Sequence, residues 1–229
     1  NATEPLQLLA PEPIFRFLEE FAELVPSIRG TYYAIDCKYL MRENKELRDR
    51  LAHFTGISDC RTVPVAHCPH AYAVILDGTC FGRVVYSGDC RPSKQLAQVA
   101  RGADLLIHEA TFEDGMEAEA VLRKHSTVGE ALIVANEMEA KCTVLTHFSQ
   151  RYPKVPPLHG DTQATSPVIF AFDFMRLQQH TLDAASKLTP ALRLLYPEDK
   201  DEEEDEENDV SAAQAVLSEP GTFARSDLL

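Results

Sequence analysis

Three short apolar runs, each ending in titratable side chains, most strongly constrain how this chain can fold. The runs are VVYSGD, LLIHE and VLTH, and they end in Asp89, in His108 with Glu109, and in His147. Short apolar runs bounded by polar residues indicate buried strands, and their alternation with helices indicates an α/β layered fold. Because open sheets bind ligands outside the carboxyl ends of their strands, we expect these side chains to gather at one edge. Carboxylate and imidazole groups without nearby cysteine pairs suit zinc or another borderline metal.

Helix-start signals follow two of these runs. Ser93 is the expected N-cap of a helix over Ser93–Arg101, which leaves the Asp89 carboxylate free. The motif HST places His125 just before a second helix, which Thr127 and Glu130 begin as a capping box. One face of that helix is apolar at helical spacing: Val128, Ala131, Leu132, Ala135 and Met138.

Strand geometry separates the two titratable residues of the LLIHE run. Side chains alternate along a strand, so His108 and Glu109 point to opposite faces and only one can face the site. In Glu109 and His125 the sequence offers the carboxylate–imidazole pair that a general acid needs.

The remaining elements are predicted from periodicity and turn residues. The apolar positions Ile14, Phe17, Leu18, Phe21 and Leu24 predict a helix over Pro11–Leu24 that packs one face on a core. A DG turn at Asp77 and Gly78 predicts the reversal of a hairpin within Thr62–Asp89. Further strands are expected at Pro5–Ala10, Cys142–Thr146 and Val168–Leu177, and a charged helix at Arg42–His53.

A second group of possible metal ligands is the segment His67-Cys68-Pro69-His70. Two readings remain open from the spacing alone. The segment is either a zinc-binding cluster or a surface turn, since Pro69 interrupts a strand.

The net charge of −14 is concentrated in one block of the chain. The segment EDKDEEEDEEND at Glu198–Asp209 has a net charge of −9, which leaves −5 for all other residues. A block of like charges repels itself and cannot bury apolar surface, so we expect residues 198–229 to form a disordered acidic tail behind a domain at 1–197. Binding of nucleic acid by the rest of the chain is therefore not excluded by charge.

Cysteine spacing and hydropathy exclude two further classes of protein. The six cysteines include no C-x-x-C pair, so neither a disulfide framework nor a four-cysteine zinc site is indicated, and a reducing compartment is expected. No apolar run approaches the roughly 18 residues of a membrane span, and the first residues have no signal-like pattern.

The motifs SGDC, HEAT, HST and THFSQRYPKVP together resemble tRNase Z, the metallo-β-lactamase superfamily endonuclease that trims tRNA 3′ ends. FSQRYPKVP resembles the long eukaryotic form, and the likeness to its C-terminal half covers Pro5–Pro197. The resemblance implies an αββα sandwich. The family's metal motif H-x-H-x-D-H occurs nowhere in the 229 residues, which predicts a domain truncated at its N-terminus.

The resemblance also implies roles for individual residues. Asp89 would bridge two zinc ions, with His67 serving one and His147 the other, although the chain has Cys90 where the family has threonine and Ala73 where it has glycine. His125 would protonate the leaving group, oriented by Glu109. His70 would be only a neighbour of His67, and His108 a packing residue. Arg151 and Lys154 could contact RNA phosphate or be ordinary surface charges.

The same resemblance implies precursor tRNA as a partner, a homodimer as an assembly, and the nucleus or the mitochondrion as the location. Two alternatives remain open. A catalytically inactive fragment or isoform that acts as a binding module is favoured by the missing metal motif. A different metallo-β-lactamase hydrolase with a small substrate is disfavoured by the HEAT and HST motifs.

The acidic block yields a first prediction about stability. Deleting residues 198–229 should leave the melting temperature unchanged, because the block contributes no apolar burial. Thermal unfolding of the full and shortened chains checks this. A large fall in melting temperature on deletion would show that the tail packs on the domain.

Overall fold

The computed structural model describes residues 5–42, 44–149, 164–188 and 191. Two sheets are present. The strands are β1 Leu6–Ala10, β2 Tyr32–Asp36, β3 Asp59–Pro64, β4 Tyr72–Thr79, β5 Gly82–Tyr86, β6 Leu105–Glu109, β7 Thr143–Thr146 and β8 Val168–Phe170. The helices are α1 Glu12–Leu24, α2 Lys45–Thr55, α3 Lys94–Val99, α4 Glu117–Arg123, α5 Val128–Met138 and α6 Leu182–Ser186, with short 3-10 turns at Pro26–Ile28, Cys37–Leu40 and Gln179–Thr181.

The larger sheet has six strands in the order β3-β4-β5-β6-β7-β8. Strands β3, β4 and β5 are antiparallel, whereas β5 to β8 run parallel. The carboxyl ends of parallel strands lie at the same edge of a sheet. The loops after β5, β6 and β7 therefore meet there, as the three apolar runs predicted.

One face of this sheet is covered by α3 and α5. Leu96 of α3 and Met138 of α5 are fully buried against Ile75, Val85 and Leu106 of the sheet. Every apolar position predicted for the inner face of α5 is buried. Burial of a leucine- or methionine-sized side chain contributes about 1.5–3 kcal/mol, so this face holds the sheet and the two helices together.

The opposite face is covered in two places. At one end, α2 and the small parallel sheet of β1 and β2 pack Leu51 and Ile35 against Cys60. The buried Thr62 hydroxyl donates to the Cys37 carbonyl oxygen at 2.6 Å. At the other end, Ala185 of α6 packs on the sheet. The large sheet is therefore flanked by helices on both faces, with a small second sheet on one of them, as expected for the part of an αββα sandwich that the sequence predicts.

The helix starts form as the sequence predicts. The Ser93 side chain accepts from the backbone N–H of Leu96, and Thr127 with Glu130 forms a complete capping box. The helix predicted from Arg42 begins at Lys45 because Asn44 caps it, and His53 lies in its last turn.

The predicted packing of α1 is wrong for the residues that the structure describes. The helix forms with the predicted period, but Ala22 is its only buried residue. Phe17 is 59% exposed and Leu24 is 81% exposed. The apolar spacing correctly predicted which residues share one face of the helix. Burial of that face requires a second element packed on it, and none of the described elements covers it.

Two strand predictions need correction. Asp77 and Gly78 do not form the hairpin turn, because β4 continues to Thr79 through a bulge and the chain reverses between Thr79 and Gly82. The predicted strand Val168–Leu177 ends at Phe170. A turn follows in which the Met175 N–H donates to the Phe172 carbonyl and Phe174 has a φ of 65°.

Some predictions lie outside the described residues. Arg151, Lys154 and the acidic tail at 198–229 are among them. Of the helices within the described ranges, none is long and apolar enough to span a membrane.

Burial divides the six free cysteines into two classes. Cys68 and Cys80 are exposed, whereas Cys37, Cys60, Cys90 and Cys142 are buried. Burial raises the pKa of Cys37 and of Cys60 to about 11. Burial, with the nearby Glu109 carboxylate, raises the pKa of Cys90 to about 12.

These thiols should differ in reactivity. A raised pKa keeps a thiol protonated at neutral pH, and only the thiolate reacts. In the native chain at neutral pH a maleimide should therefore modify Cys68 and Cys80 alone, and all six cysteines only after unfolding. Mass spectrometry of the labelled peptides checks this. Rapid native labelling of Cys90 would contradict the buried position assigned to it.

Candidate functional site

Asp89 lies at the centre of the cluster at the carboxyl edge of the sheet. Its Oδ2 is 4.0 Å from Nε2 of His67, and its Oδ1 is 3.6 Å from Nε2 of His147. Each carboxylate oxygen thus faces a different histidine. Within the described residues its ion-pair partners are these two histidines, and the side chain is 36% exposed.

Backbone conformations in the left-handed region position the side chains of Asp89 and His147, at Gly88 just before Asp89 and at His147 itself. Gly88 has a φ of 59° and lies close to the Tyr72 carbonyl oxygen, 3.1 Å from where a Cβ would stand. Glycine is suited to this turn after β5 because it lacks a Cβ. His147, which directly follows β7, has a φ of 63°. For a non-glycine residue this conformation is uncommon and marks sites where the surroundings impose it.

Glu109 is the buried acceptor at the end of β6, with 1% exposure. Its Oε1 accepts from the Cys90 N–H and from His125 Nδ1, both at 2.9 Å. Its Oε2 accepts from the Thr111 N–H at 3.1 Å and from the Thr111 hydroxyl at 2.7 Å. A buried carboxylate is tolerated only when it is paired and hydrogen-bonded, and four donors meet that condition here.

His125 is held by Glu109 through one ring nitrogen. Because a carboxylate only accepts hydrogen bonds, Nδ1 of His125 carries the hydrogen and Nε2 is the nitrogen left for chemistry. The ring centroid lies 4.7 Å from that of His67 and 5.4 Å from that of His147. The His125 ring therefore neighbours both of the histidines that face Asp89, stacked on His147 and tilted against His67.

His67 is oriented by a backbone carbonyl. Its Nδ1 is 3.0 Å from the carbonyl oxygen of Lys124, the residue that ends α4. A carbonyl only accepts, so Nδ1 must donate and Nε2 faces Asp89 with a free lone pair. This arrangement, in which the second nitrogen of a histidine is tied to an acceptor, is typical of metal-binding histidines.

Arg91 ties together the loops that carry the site. Its guanidinium donates to the backbone carbonyl of His125 and to both carboxylate oxygens of Glu130. Its own backbone N–H donates to the carbonyl of Ala66, next to His67. The side chains of Arg91 and Glu130 are 21% and 19% exposed, so the pair is largely shielded from water. The positions of His67, Asp89 and His125 are thereby coupled.

His108 points away from the site, as strand alternation predicts. It is fully buried, and Nδ1 lies 2.6 Å from the Glu109 carbonyl oxygen. Burial lowers the pKa of His108, which keeps the ring neutral. The residue therefore serves packing rather than ligand binding.

The donor set can hold a metal ion. The ligand atoms of His67, Asp89 and His125 lie within 4.8 Å of one another, and so do those of Glu109, His125 and His147. Imidazole nitrogen and carboxylate oxygen are ligands that zinc takes. Glu109 is hydrogen-bonded through both of its oxygens, so the donor atoms left free are both oxygens of Asp89 and the Nε2 atoms of His67, His125 and His147. These residues fit a metal as a partial ligand set.

The structure brings together five residues singled out from the sequence: His67, Asp89, Glu109, His125 and His147. His70 is exposed and lies in the turn before β4. Sequence reasoning missed Thr111 and Arg91. The capping-box Glu130 was visible in the sequence, and a basic residue beside Asp89 could have suggested its partner. No local pattern pointed to the hydroxyl of Thr111.

Sequence comparison identifies relatives of this chain. The zinc phosphodiesterase ELAC protein 2 of Macaca fascicularis is 36% identical over 86% of this chain and 25% of its own length. The mitochondrial ribonuclease Z of Drosophila melanogaster is 37% identical over 85% of this chain and 26% of its own. The chain thus spans about a quarter of the length of the curated relatives it matches. No family model matches the sequence.

Structure comparison agrees with these matches. A long-form RNase Z from yeast superposes with a TM-score of 0.77 at 26% identity, over 84% of this chain and 30% of that chain. A metallo-β-lactamase fold protein from Bacillus subtilis, with a TM-score of 0.53 and 18% identity over 75% of this chain and 64% of that chain, supports the fold alone. Over most of its length, the chain is therefore homologous to part of the ribonuclease Z proteins, and its fold is that of the metallo-β-lactamase fold proteins.

Proposed function

We propose that this chain supplies the proton-donor half and part of the zinc shell of an endoribonuclease that removes the 3′ trailer of precursor tRNA. The observation that carries the proposal is the buried Glu109–His125 pair beside Asp89, with His67 and His147 on either side. The names of the relatives, zinc phosphodiesterase and ribonuclease Z, supply the metal and the class of substrate.

His67, Asp89 and His147 are the proposed zinc ligands. Asp89 would contribute one oxygen toward each histidine, which suits two metal ions per complete site. Zinc bound there would activate the attacking water and stabilise the negative charge that develops on the phosphate. Three side chains cannot complete two four-coordinate shells, so the chain alone should bind zinc weakly.

His125 is the proposed general acid. Glu109 accepts from Nδ1 and so stabilises the protonated ring, which leaves Nε2–H as the proton to be given away. Hydrolysis joins the oxygen of water to the phosphorus after the discriminator nucleotide and breaks the bond from that phosphorus to the 3′ oxygen. His125 would protonate this departing oxygen, so that the tRNA ends in a 3′-hydroxyl.

Other parts of the proposal rest on family resemblance. Residues 1–197 would form the nuclease part and 198–229 an acidic tail. The shape and backbone of precursor tRNA would be recognised rather than its base sequence, with Arg151 and Lys154 as phosphate contacts. A homodimer and a nuclear or mitochondrial location belong to the same proposal; the Drosophila relative is named as mitochondrial.

One observation favours a second candidate, an inactive binding module: the motif H-x-H-x-D-H does not occur in the 229 residues. The two candidates make opposite predictions once that motif is supplied. A protein in which an upstream segment carrying H-x-H-x-D-H precedes this chain would cleave a 3′-extended tRNA only under the first candidate.

Because His125 is the proposed proton donor and Asp89 a proposed zinc ligand, substituting each in that completed protein should have a different effect on zinc content. His125→Ala should reduce single-turnover cleavage by on the order of 10² to 10⁴ while zinc content stays unchanged, because a proton donor is removed and no ligand is lost. Asp89→Ala should lose zinc as well as activity. Zinc stoichiometry measured beside cleavage of a 3′-extended tRNA checks both.

His70→Asn is the matched control, since this exposed neighbour of His67 lies outside the cluster and asparagine tolerates its positive φ of 65°. It should keep both zinc and activity. Loss of zinc in the His125 variant would instead move that residue into the metal shell. No cleavage by the completed parent protein would favour the binding module.

A further inference from the structure

The hydroxyl of Thr111 contacts three side chains of the site at once. Its Oγ1 lies 2.7 Å from Glu109 Oε2, 2.8 Å from His147 Nδ1 and 3.2 Å from His125 Nδ1. Thr111 is thus hydrogen-bonded to the proposed acid–base pair and to a proposed zinc ligand. The residue follows β6 in the HEAT motif.

The direction of these hydrogen bonds follows from counting protons. A threonine hydroxyl has one hydrogen to donate and two lone pairs to accept with. Glu109 as a carboxylate offers no hydrogen, so at 2.7 Å the hydrogen between the two oxygens must come from Thr111. The hydroxyl is then left only with lone pairs for its other neighbours.

The acceptor role of the Thr111 hydroxyl determines the tautomer of His147. Its Nδ1 lies 2.8 Å from a hydroxyl that can only accept, so Nδ1 must carry a hydrogen. The neutral ring then has its lone pair on Nε2, the nitrogen that faces Asp89 Oδ1 at 3.6 Å. A metal ligand in any other tautomer would present a hydrogen to the ion.

The backbone keeps this contact in register. The Ser149 N–H donates to the Thr111 carbonyl at 3.1 Å, which ties the loop after β6 to the loop after β7. His147, half exposed and in a left-handed conformation, has few other restraints on its ring among the described contacts. His125, in contrast, retains Glu109 as a separate acceptor for Nδ1.

We infer that Thr111 is a positioning residue that fixes His147 in the Nδ1–H tautomer because its own hydrogen is committed to Glu109. One hydroxyl thereby links the proposed proton donor to a proposed zinc ligand. The inference rests on the proposed function for the meaning of that link, whereas the tautomer itself is a property of the chain without metal or RNA.

The test is nitrogen-15 NMR of the histidine side chains in the full chain, without zinc. In the parent chain neutral His147 should carry its hydrogen on Nδ1. Thr111→Val keeps the shape and removes the acceptor, so His147 should become a mixture of both tautomers while His125 stays Nδ1–H. Thr111→Ser should restore the parent pattern.

Thr143→Val is the matched control. Thr143 is buried on the neighbouring strand β7, and its hydroxyl has no hydrogen-bond partner within the described residues. This variant should leave both histidines unchanged. Zinc titration against a competing chelator gives a second readout, in which Thr111→Val should weaken zinc binding about 10- to 100-fold, the usual cost of removing a hydrogen-bond partner of a metal ligand.

The outcomes separate this inference from the proposed function. A hydrogen on Nε2 of His147 in the parent chain would overturn the inference without any variant, and so would an unchanged single tautomer in Thr111→Val. The expected tautomer shift, together with a completed protein that fails to cleave tRNA, would leave the inference standing and remove the proposed function.

Discussion

The buried carboxylate of Glu109 is the interaction on which the arrangement of the site depends. It accepts hydrogen bonds from Cys90, from the backbone and hydroxyl of Thr111, and from His125. These donors belong to three different loops. Removing the partners of a buried charge is strongly destabilising, about 3–5 kcal/mol, so the loops are held in place by the need to satisfy one group.

The ion pair between Arg91 and Glu130 also connects these loops. Arg91 and Glu130 connect the loop of Asp89 to the start of α5, and the backbone of Arg91 reaches the loop of His67. The proposed metal ligands keep lone pairs available: Nε2 of His67 faces Oδ2 of Asp89, and Nε2 of His147 faces Oδ1. The fully hydrogen-bonded groups, Glu109 and the Arg91–Glu130 pair, hold the loops in position. The proposed ligand atoms of His67, Asp89 and His147 are the ones that an ion would contact.

Much of this site could be predicted because strand ends and helix caps are local features. Asp89, Glu109 and His147 lie at the ends of apolar runs that indicate buried strands, and His125 precedes a capping box. Parallel pairing then brings them to one edge. The role of Thr111 could not be predicted, since it depends on distances between side chains from separate loops and on which atom holds the hydrogen.

Elements that depend on distant partners were predicted less well. The apolar period of α1 gave the helix but not its environment, since Phe17 and Leu24 remain exposed among the described residues. The strand after Val168 was predicted too long, because apolar residues continue past Phe170 while the backbone turns at Phe174. Periodicity reports which side chains are apolar and leaves open what covers them.

We propose that Asp89, flanked by His67 and His147, holds the metal while His125 remains bound to Glu109. A crystal structure of the chain at saturating zinc, with anomalous data collected at the zinc absorption edge, tests it most directly. We expect zinc peaks beside the Asp89 carboxylate, with Nε2 of His67 or His147 as ligand and His125 Nδ1 still hydrogen-bonded to Glu109. Zinc bound by His125, or found only away from Asp89, would contradict it.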